Sequence, residues 1–413
     1  MSKKMNLLLI SGAILLELAL LAGMVWVNTF IAKKNGGEKD FLVPWLAART
    51  YLQYGDSPYS TAATQRAQIV YYGRLAGEGE DPLRLWLPFP IVVPYLPFAL
   101  IPDYFLARGL WMTLLELALI GLAWTGLRLT AWKPSRGQLI FLTLFAPLWI
   151  FGQFALFTNS ALAFCALSLG GALLALKAEK DELAGALLVL PLFQPGSALL
   201  VVVFLLVWMV RQRRWKVLAG LGMVLILLFG ISLLFVSDWF LPFVAGAVLH
   251  GRFNPGITLV GLLGSLWPEA GPRMAWVLAG FLSILLLVEW VLARGKDAEH
   301  MVWTAGLTLA ATPLIGFALH STGDLFQILP LYVILGIVDS RWPRKNAWTW
   351  VDSVGLVYFA AVWLGMILFS GQQHAGILNG LILYLVPTIN LVGLYWIRWW
   401  AIRPARTWWE RMS

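Results

Sequence analysis

Ten polar residues stand out in a chain that is otherwise largely apolar: Asp40, Gln153, Asn159, Gln194, Asp238, His250, Arg252, Asn254, His320 and Asp324. Each lies at the end of an apolar run or between two runs, where helix packing has no need of it. As a set they offer the groups that proton transfer and anion binding require. A carboxylate can take a proton from an attacking hydroxyl. A histidine or arginine, such as His320 or Arg252, meets negative charge as it develops. Asp56 differs, because in GDSPYS an aspartate caps a turn. Polar residues also fill loops for solvation alone, so it is the set and its placement that point to a site. Three further acids, Glu17, Glu116 and Glu289, fall inside apolar runs, where ionisable groups are costly. Glu17 and Glu116, at mid-run, suit either a proton relay or a carboxyl hydrogen-bonded between helices. Glu289 lies near a run end, within reach of the interface.

The elements that must position these residues are helices in lipid. Of the 413 residues 60% are hydrophobic and 12% charged, with a mean hydropathy of +0.77. A soluble domain carries about 25% charged residues. Apolar runs of about 20 residues recur, each long enough to cross a hydrocarbon core roughly 30 Å thick. They fall near 7–31, 104–128, 138–152, 156–176, 183–195, 197–210, 217–236, 274–294, 301–319, 324–338, 349–370 and 376–397. Two further stretches, 88–102 and 256–267, are short and broken by proline or glycine, so they are expected as re-entrant or surface-lying segments. The expected fold is an all-α integral membrane bundle of about twelve transmembrane helices, forming a single transmembrane domain over 1–413. Residues 32–103 form a long first extracytoplasmic loop with amphipathic helices and a re-entrant segment, and 237–273 form a second. A loop as long as the polar stretch 32–87 is usually functional.

Charge placement orients the bundle. The net charge of +9 sits in short clusters between apolar runs, where the positive-inside rule puts Lys and Arg, and this excludes nucleic acid as partner. With both termini cytoplasmic, twenty of the thirty Lys and Arg residues lie on the cytoplasmic side. All ten polar candidates then face the other side, although Lys and Arg alone set the orientation. The N-terminus begins like a signal peptide, but its apolar stretch is too long and lacks a cleavage site, so it is expected as an uncleaved first span. Cytoplasmic loops are too short for a nucleotide-binding domain. The chain also lacks GxxxxGK followed by Ser or Thr, and lacks GxGxxG after a strand. The single Cys165 permits no intramolecular disulfide and no Cys/His metal framework. No cofactor is expected, and nothing in the spacing of Asp40 and Asp324 demands a divalent metal.

The order of these features resembles the GT-C glycosyltransferases and, within them, glycosyltransferase family 87. DFLVPWLAARTYLQYGDSPY, from Asp40 to Tyr59, is similar to the family's Asp-Phe, aromatic, paired-Ala and Gly-aromatic pattern. LPFPIVVPYLPFALIP resembles its Tyr-Pro-Pro segment, and Gly152-Gln153 with Asn159 looks like a loosened Gly-Gln-x-Asn element. Gln194-Pro195 falls where the family has Lys-Pro. Asn254-Pro255-Gly256 with GLLGSL resembles its Asn-Gln-Ser and Gly-Leu-Leu run, and His320 falls where members place a histidine near the donor phosphate.

The resemblance implies a polytopic, inverting enzyme that moves a sugar from a polyprenyl-phosphate donor to a glycolipid or cell-envelope glycan. Mannose is the family's commonest donor sugar, and the compartment implied is the outer side of a bacterial plasma membrane. Asp40 would be the catalytic base. His320, Gln153, Asn159, Gln194 and Asn254 would bind the donor phosphate and substrate, and the residues themselves add Arg252 and Asp324 to that set. No general acid is needed, because a lipid phosphate departs as a stable anion whereas a sugar alkoxide must be protonated. Two rival readings remain: a secondary transporter or lipid flippase using Glu17 and Glu116, and a catalytically degenerate GT-C relative, suggested by glutamine at 194.

Overall fold

A computed structural model describes residues 3–36, 39–130, 132–193, 195–320, 322–341, 350–369 and 375–402. These residues are almost wholly helical, and they contain no strand beyond one isolated bridge between Ile257 and Leu319. The first stretch of chain forms α1 (Lys3–Lys34), α2 (Lys39–Tyr54), α3 (Thr61–Tyr72), α4 (Phe89–Val92), α5 (Leu96–Ala99) and α6 (Tyr104–Leu129). Next come α7 (Arg136–Leu148), α8 (Ile150–Thr158), α9 (Leu162–Lys177), α10 (Asp181–Leu187), α11 (Val189–Leu192), α12 (Pro195–Arg211) and α13 (Trp215–Phe235). The last are α14 (Phe240–Phe253), α15 (Leu259–Leu266), α16 (Gly271–Leu292), α17 (Ala298–Ala311), α18 (Ile328–Arg341), α19 (Trp350–Phe369) and α20 (Ala375–Ile402).

Among the described residues six segments are long and apolar enough to cross a membrane: Ile10–Lys34, Tyr104–Leu129, Trp215–Phe235, Gly271–Leu292, Gly323–Arg341 and Gly376–Ile402. The pair α7 and α8, bent by 44°, makes a seventh if it is one broken span. The protein is therefore a helical membrane protein. Within 183–195, expected as one span, residues 183–192 fall in the two short helices α10 and α11, and Pro195 already begins α12. Pro191 offers no N–H to the carbonyl of Leu187, and the Ser168 hydroxyl donates to that carbonyl instead, at 2.6 Å. Residues 88–102 form α4 and α5, joined by a 3-10 turn at Val93–Tyr95. Pro90, Pro94 and Pro97 keep any regular helix from running through that stretch.

The chain divides into two compact units. Unit one comprises Met1–Leu117, Ala155–Ala161 and Ile231–Asn254. Its α1 and the first half of α6 meet where Gly109 faces Thr29. A Cβ on Gly109 would lie 2.8–2.9 Å from Thr29 backbone atoms. Beside that contact the Asn28 amide donates to the Thr113 hydroxyl and to the Glu116 carboxylate, both at 3.0 Å. The first loop folds over an aromatic cluster centred on Phe41, which is fully buried. The rings of Tyr95, Phe98, Tyr104 and Trp111 surround it at centroid distances of 5.5–6.4 Å. Ser60 caps α3, and Gly73, at φ +73°, ends it in the left-handed conformation that glycine adopts without strain.

Unit two comprises Ala118–Phe154, Leu162–Gly230 and Pro255–Ser413. α17 is buried from His300 to Ala311, so its apolar residues form no single stripe. Its Thr304, Thr308 and Thr312 satisfy their hydroxyls on carbonyls one turn back, at 2.7–2.9 Å. The Trp303 indole reaches the Leu394 carbonyl of α20 at 3.0 Å. Glu289 on α16 takes a two-bond guanidinium contact from Arg398 at 3.1 Å, so this intramembrane acid is paired with a cation.

Gly109→Ala forces a methyl into the Thr29 backbone, and we expect it to destabilise the protein by about 1–3 kcal/mol. Thermal unfolding in detergent checks this. Gly12→Ala, with nothing within 4 Å of its Cβ position, should leave the melting temperature unchanged.

Candidate functional site

The first turn of α2 carries a cluster of placed polar groups in unit one. Asp40 sits there, half-buried, where the N-terminal end of a helix favours a carboxylate. Its neighbour Lys39 donates to the Asp81 carboxylate at 2.6 Å. Asp81 also accepts from the Leu83 N–H at 3.0 Å and, more weakly, from the Asn254 amide at 3.4 Å. The backbone carbonyl of Asp81 accepts from the Tyr72 hydroxyl at 3.0 Å. Leu83 adopts φ +52°, unusual for a side chain of that size, and burial of its side chain to 1% exposure holds it there.

Asn254 ends α14 and extends the network. Its amide also donates to the His250 carbonyl at 3.1 Å and lies 3.3 Å from the imidazole Nδ1. The His250 ring stacks on Trp86 at 4.0 Å with an interplanar angle of 11°. Lys39, Asp81, Asn254, His250 and Trp86 thus tie three chain-distant segments to the turn that bears Asp40. Burial works against ionisation of Asp81, but the Lys39 ammonium, the Leu83 N–H and the Asn254 amide outweigh it. They hold the carboxyl below the ordinary carboxylate range. Nearby, the Arg74 guanidinium fork and the Gly77 N–H lower the Glu80 carboxyl to about 2.

The other sequence candidates fare differently. Asn159 is fully buried, at φ +61°, and serves the architecture. Its side-chain oxygen accepts from Arg108 at 2.6 Å, its amide donates to the Leu156 carbonyl at 2.8 Å, and its carbonyl accepts from Trp111 at 3.2 Å. Arg108, 1% exposed, also reaches the carbonyls of Phe157, Ala32 and Asn35. Gln153 donates to the Pro147 carbonyl at 2.5 Å. Gln194 lies outside the described residues. Arg252 and Asp238 are exposed. In unit two His320 is exposed, and its ring rests on Gly256. A Cβ there would come within 2.8 Å of the imidazole Cε1, and the Ile257–Leu319 bridge holds the two strands of chain together. Asp324 is fully buried, with neither carboxyl oxygen hydrogen-bonded among the described residues. Asp40 belongs to unit one, and His320 and Asp324 to unit two.

Among the mid-run acids, Glu17 is exposed on α1, whereas Glu116 makes the interhelical bond to Asn28 described above. Among the described residues no group of three or more His, Cys, Asp or Glu is placed to hold a metal ion. Lys39, Asp81 and Trp86 were not legible as site residues. Each belongs to a polar stretch, KNGGEKDF or GEGEDPLRLW, that looks like an ordinary solvated loop. Compared with known proteins, the chain matches no family model, no curated protein and no solved structure.

Asp81→Asn removes the ionic partner of Lys39, and we expect it to cost about 1–3 kcal/mol. The folded-state value of Asp81 is depressed, so its contribution is complete above the unfolded value of about 3.9 and disappears as pH falls through the folded value. The wild type should therefore lose stability more steeply than Asp81→Asn below about pH 4. Unfolding midpoints across acidic pH check this.

Proposed function

We propose that this chain is an inverting glycosyltransferase of the GT-C kind, resembling family 87. On this reading it has about twelve spans in a bacterial plasma membrane, with both termini cytoplasmic. Its reaction moves a sugar, mannose by family association, from a polyprenyl-phosphate donor to a glycolipid or cell-envelope glycan on the outer side. The observation that carries the reading is the anchored carboxylate. Asp40 stands six residues beyond the last residue of α1, on a helix start held by Lys39 and Asp81. A carboxylate so close to the end of a span meets a donor whose head group is confined to the membrane surface, and a fixed position lowers the entropic part of the barrier.

In the reaction Asp40 takes the acceptor hydroxyl proton as the oxygen attacks the anomeric carbon from the face opposite the phosphate. The carbon–oxygen bond to the lipid phosphate breaks with its electron pair, which leaves on the phosphate, and the anomeric configuration inverts. Cationic and polar groups facing the departing phosphate contribute electrostatic stabilisation. On this reading His320 and Arg252, both exposed, are candidates for that task.

The test is transfer of radiolabelled sugar from polyprenyl phosphate to a membrane lipid extract by reconstituted protein. Asp40→Asn should lower the rate at least ~10²-fold while donor binding is retained, and His320→Ala should lower it by about 10-fold or more. Equal rates for wild type and Asp40→Asn would remove Asp40 as the base.

A further inference from the structure

Among the buried side-chain oxygen atoms of unit two that have no hydrogen-bond partner among the described residues, four stand out together. They are both carboxyl oxygens of Asp324, the Tyr358 hydroxyl and the side-chain oxygen of Asn390. Asp324 and Asn390 are wholly buried and Tyr358 is 9% exposed. Three observations bring them to one neighbourhood. Asp324 lies in the 3-10 turn Gly323–Gln327, in which residues three apart eclipse one another, so Asp324 and Gln327 share a face. Asn390 of α20 docks on Gln327, donating to its backbone carbonyl at 3.0 Å and its side-chain oxygen at 3.1 Å. Those two bonds occupy the amide nitrogen and leave the amide oxygen without a donor. Tyr358 of α19 lies within electrostatic range of the Asp324 carboxylate. Tyr384 does too, but its hydroxyl is already given to the Ile257 carbonyl at 3.0 Å.

Acceptors without donors in an apolar interior call for a positive charge. A buried carboxylate is tolerated when it is paired, and an ionisable group at membrane depth points to a bound ion or proton path. Hard oxygen ligands suit alkali and alkaline-earth ions over soft metals. One carboxylate balances one positive charge, so a divalent ion would leave the site charged.

We propose that Asp324, with the Asn390 side-chain oxygen and the Tyr358 hydroxyl, binds a monovalent alkali cation. The ion ties the turn ahead of α18 to α19 and α20, and the proposal does not depend on the sugar-transfer reading.

The experiment compares thermal unfolding of the purified full chain in LiCl, NaCl and KCl with choline chloride, at one pH and equal ionic strength. At least one alkali salt should raise the wild-type Tm saturably by about 2 °C or more. That rise should vanish in Asp324→Asn and shrink in Tyr358→Phe. Should Asp324→Asn fail to fold, equilibrium retention of radiolabelled sodium and rubidium by the wild type decides. Saturable retention, displaced by unlabelled alkali salt but not by choline and weakened in Tyr358→Phe, supports the site. Identical melting in all four salts with no saturable retention, or an undiminished alkali effect in Asp324→Asn, overturns it. The buried carboxyl would then simply carry a proton.

Discussion

The ion pair between Lys39 and Asp81 ties the start of α2 to a stretch of unit one 42 residues further along the chain. α1 ends at Lys34 and α2 starts at Lys39, with Asn35 and Gly36 between them among the described residues. Nothing in so short a polar link dictates the direction of α2. The ammonium–carboxylate contact does so, and it is strong for its setting because both partners are largely shielded from water. Phe41 then drives the next turn into the cluster of Tyr95, Phe98, Tyr104 and Trp111. Asp40 lies between a charged anchor and an apolar one, so its backbone is held on both sides.

A second constraint comes from lipid, in which every polar group must find a partner inside the protein. The response recurs along the chain. Ser168 serves the carbonyl that Pro191 frees, Arg398 neutralises Glu289, and the threonines of α17 turn back on their own helix. Arg108 meets carbonyls at the end of α1 and around Asn159. Asp324 departs from this pattern, buried with neither carboxyl oxygen hydrogen-bonded among the described residues.

Much of the architecture was legible because hydrophobicity in a membrane chain is a one-dimensional signal. The helices α1, α6, α13, α16 and α20 coincide with apolar runs read directly from sequence. The proline-broken 88–102 stretch formed short helical pieces, as its four prolines required. The site was less legible. Asp40 could be singled out by pattern, but its anchor could not, since Lys39 and Asp81 are 42 residues apart and both look like loop charges. The sequence marks Asn159 and Gln153 as amides but hides their partners in the fold: Arg108 and the Leu156 carbonyl for Asn159, which sits at positive φ, and the Pro147 carbonyl for Gln153. The division of 183–192 into two helices turned on where a single proline fell, which a run of apolar residues conceals.

The claim on which this account turns is that the α2–α3 platform lies across the bilayer from the termini, where a lipid-linked donor would meet Asp40. Cysteine labelling tests it most directly. In a Cys165→Ala background, single cysteines are placed by Asp40→Cys and Asp56→Cys, with Lys180→Cys as the opposite-side control. Each is exposed to a membrane-impermeant maleimide in right-side-out and inverted vesicles. The account predicts labelling at 40 and 56 in right-side-out vesicles and at 180 in inverted ones. Labelling of 40 and 56 only in inverted vesicles would contradict it.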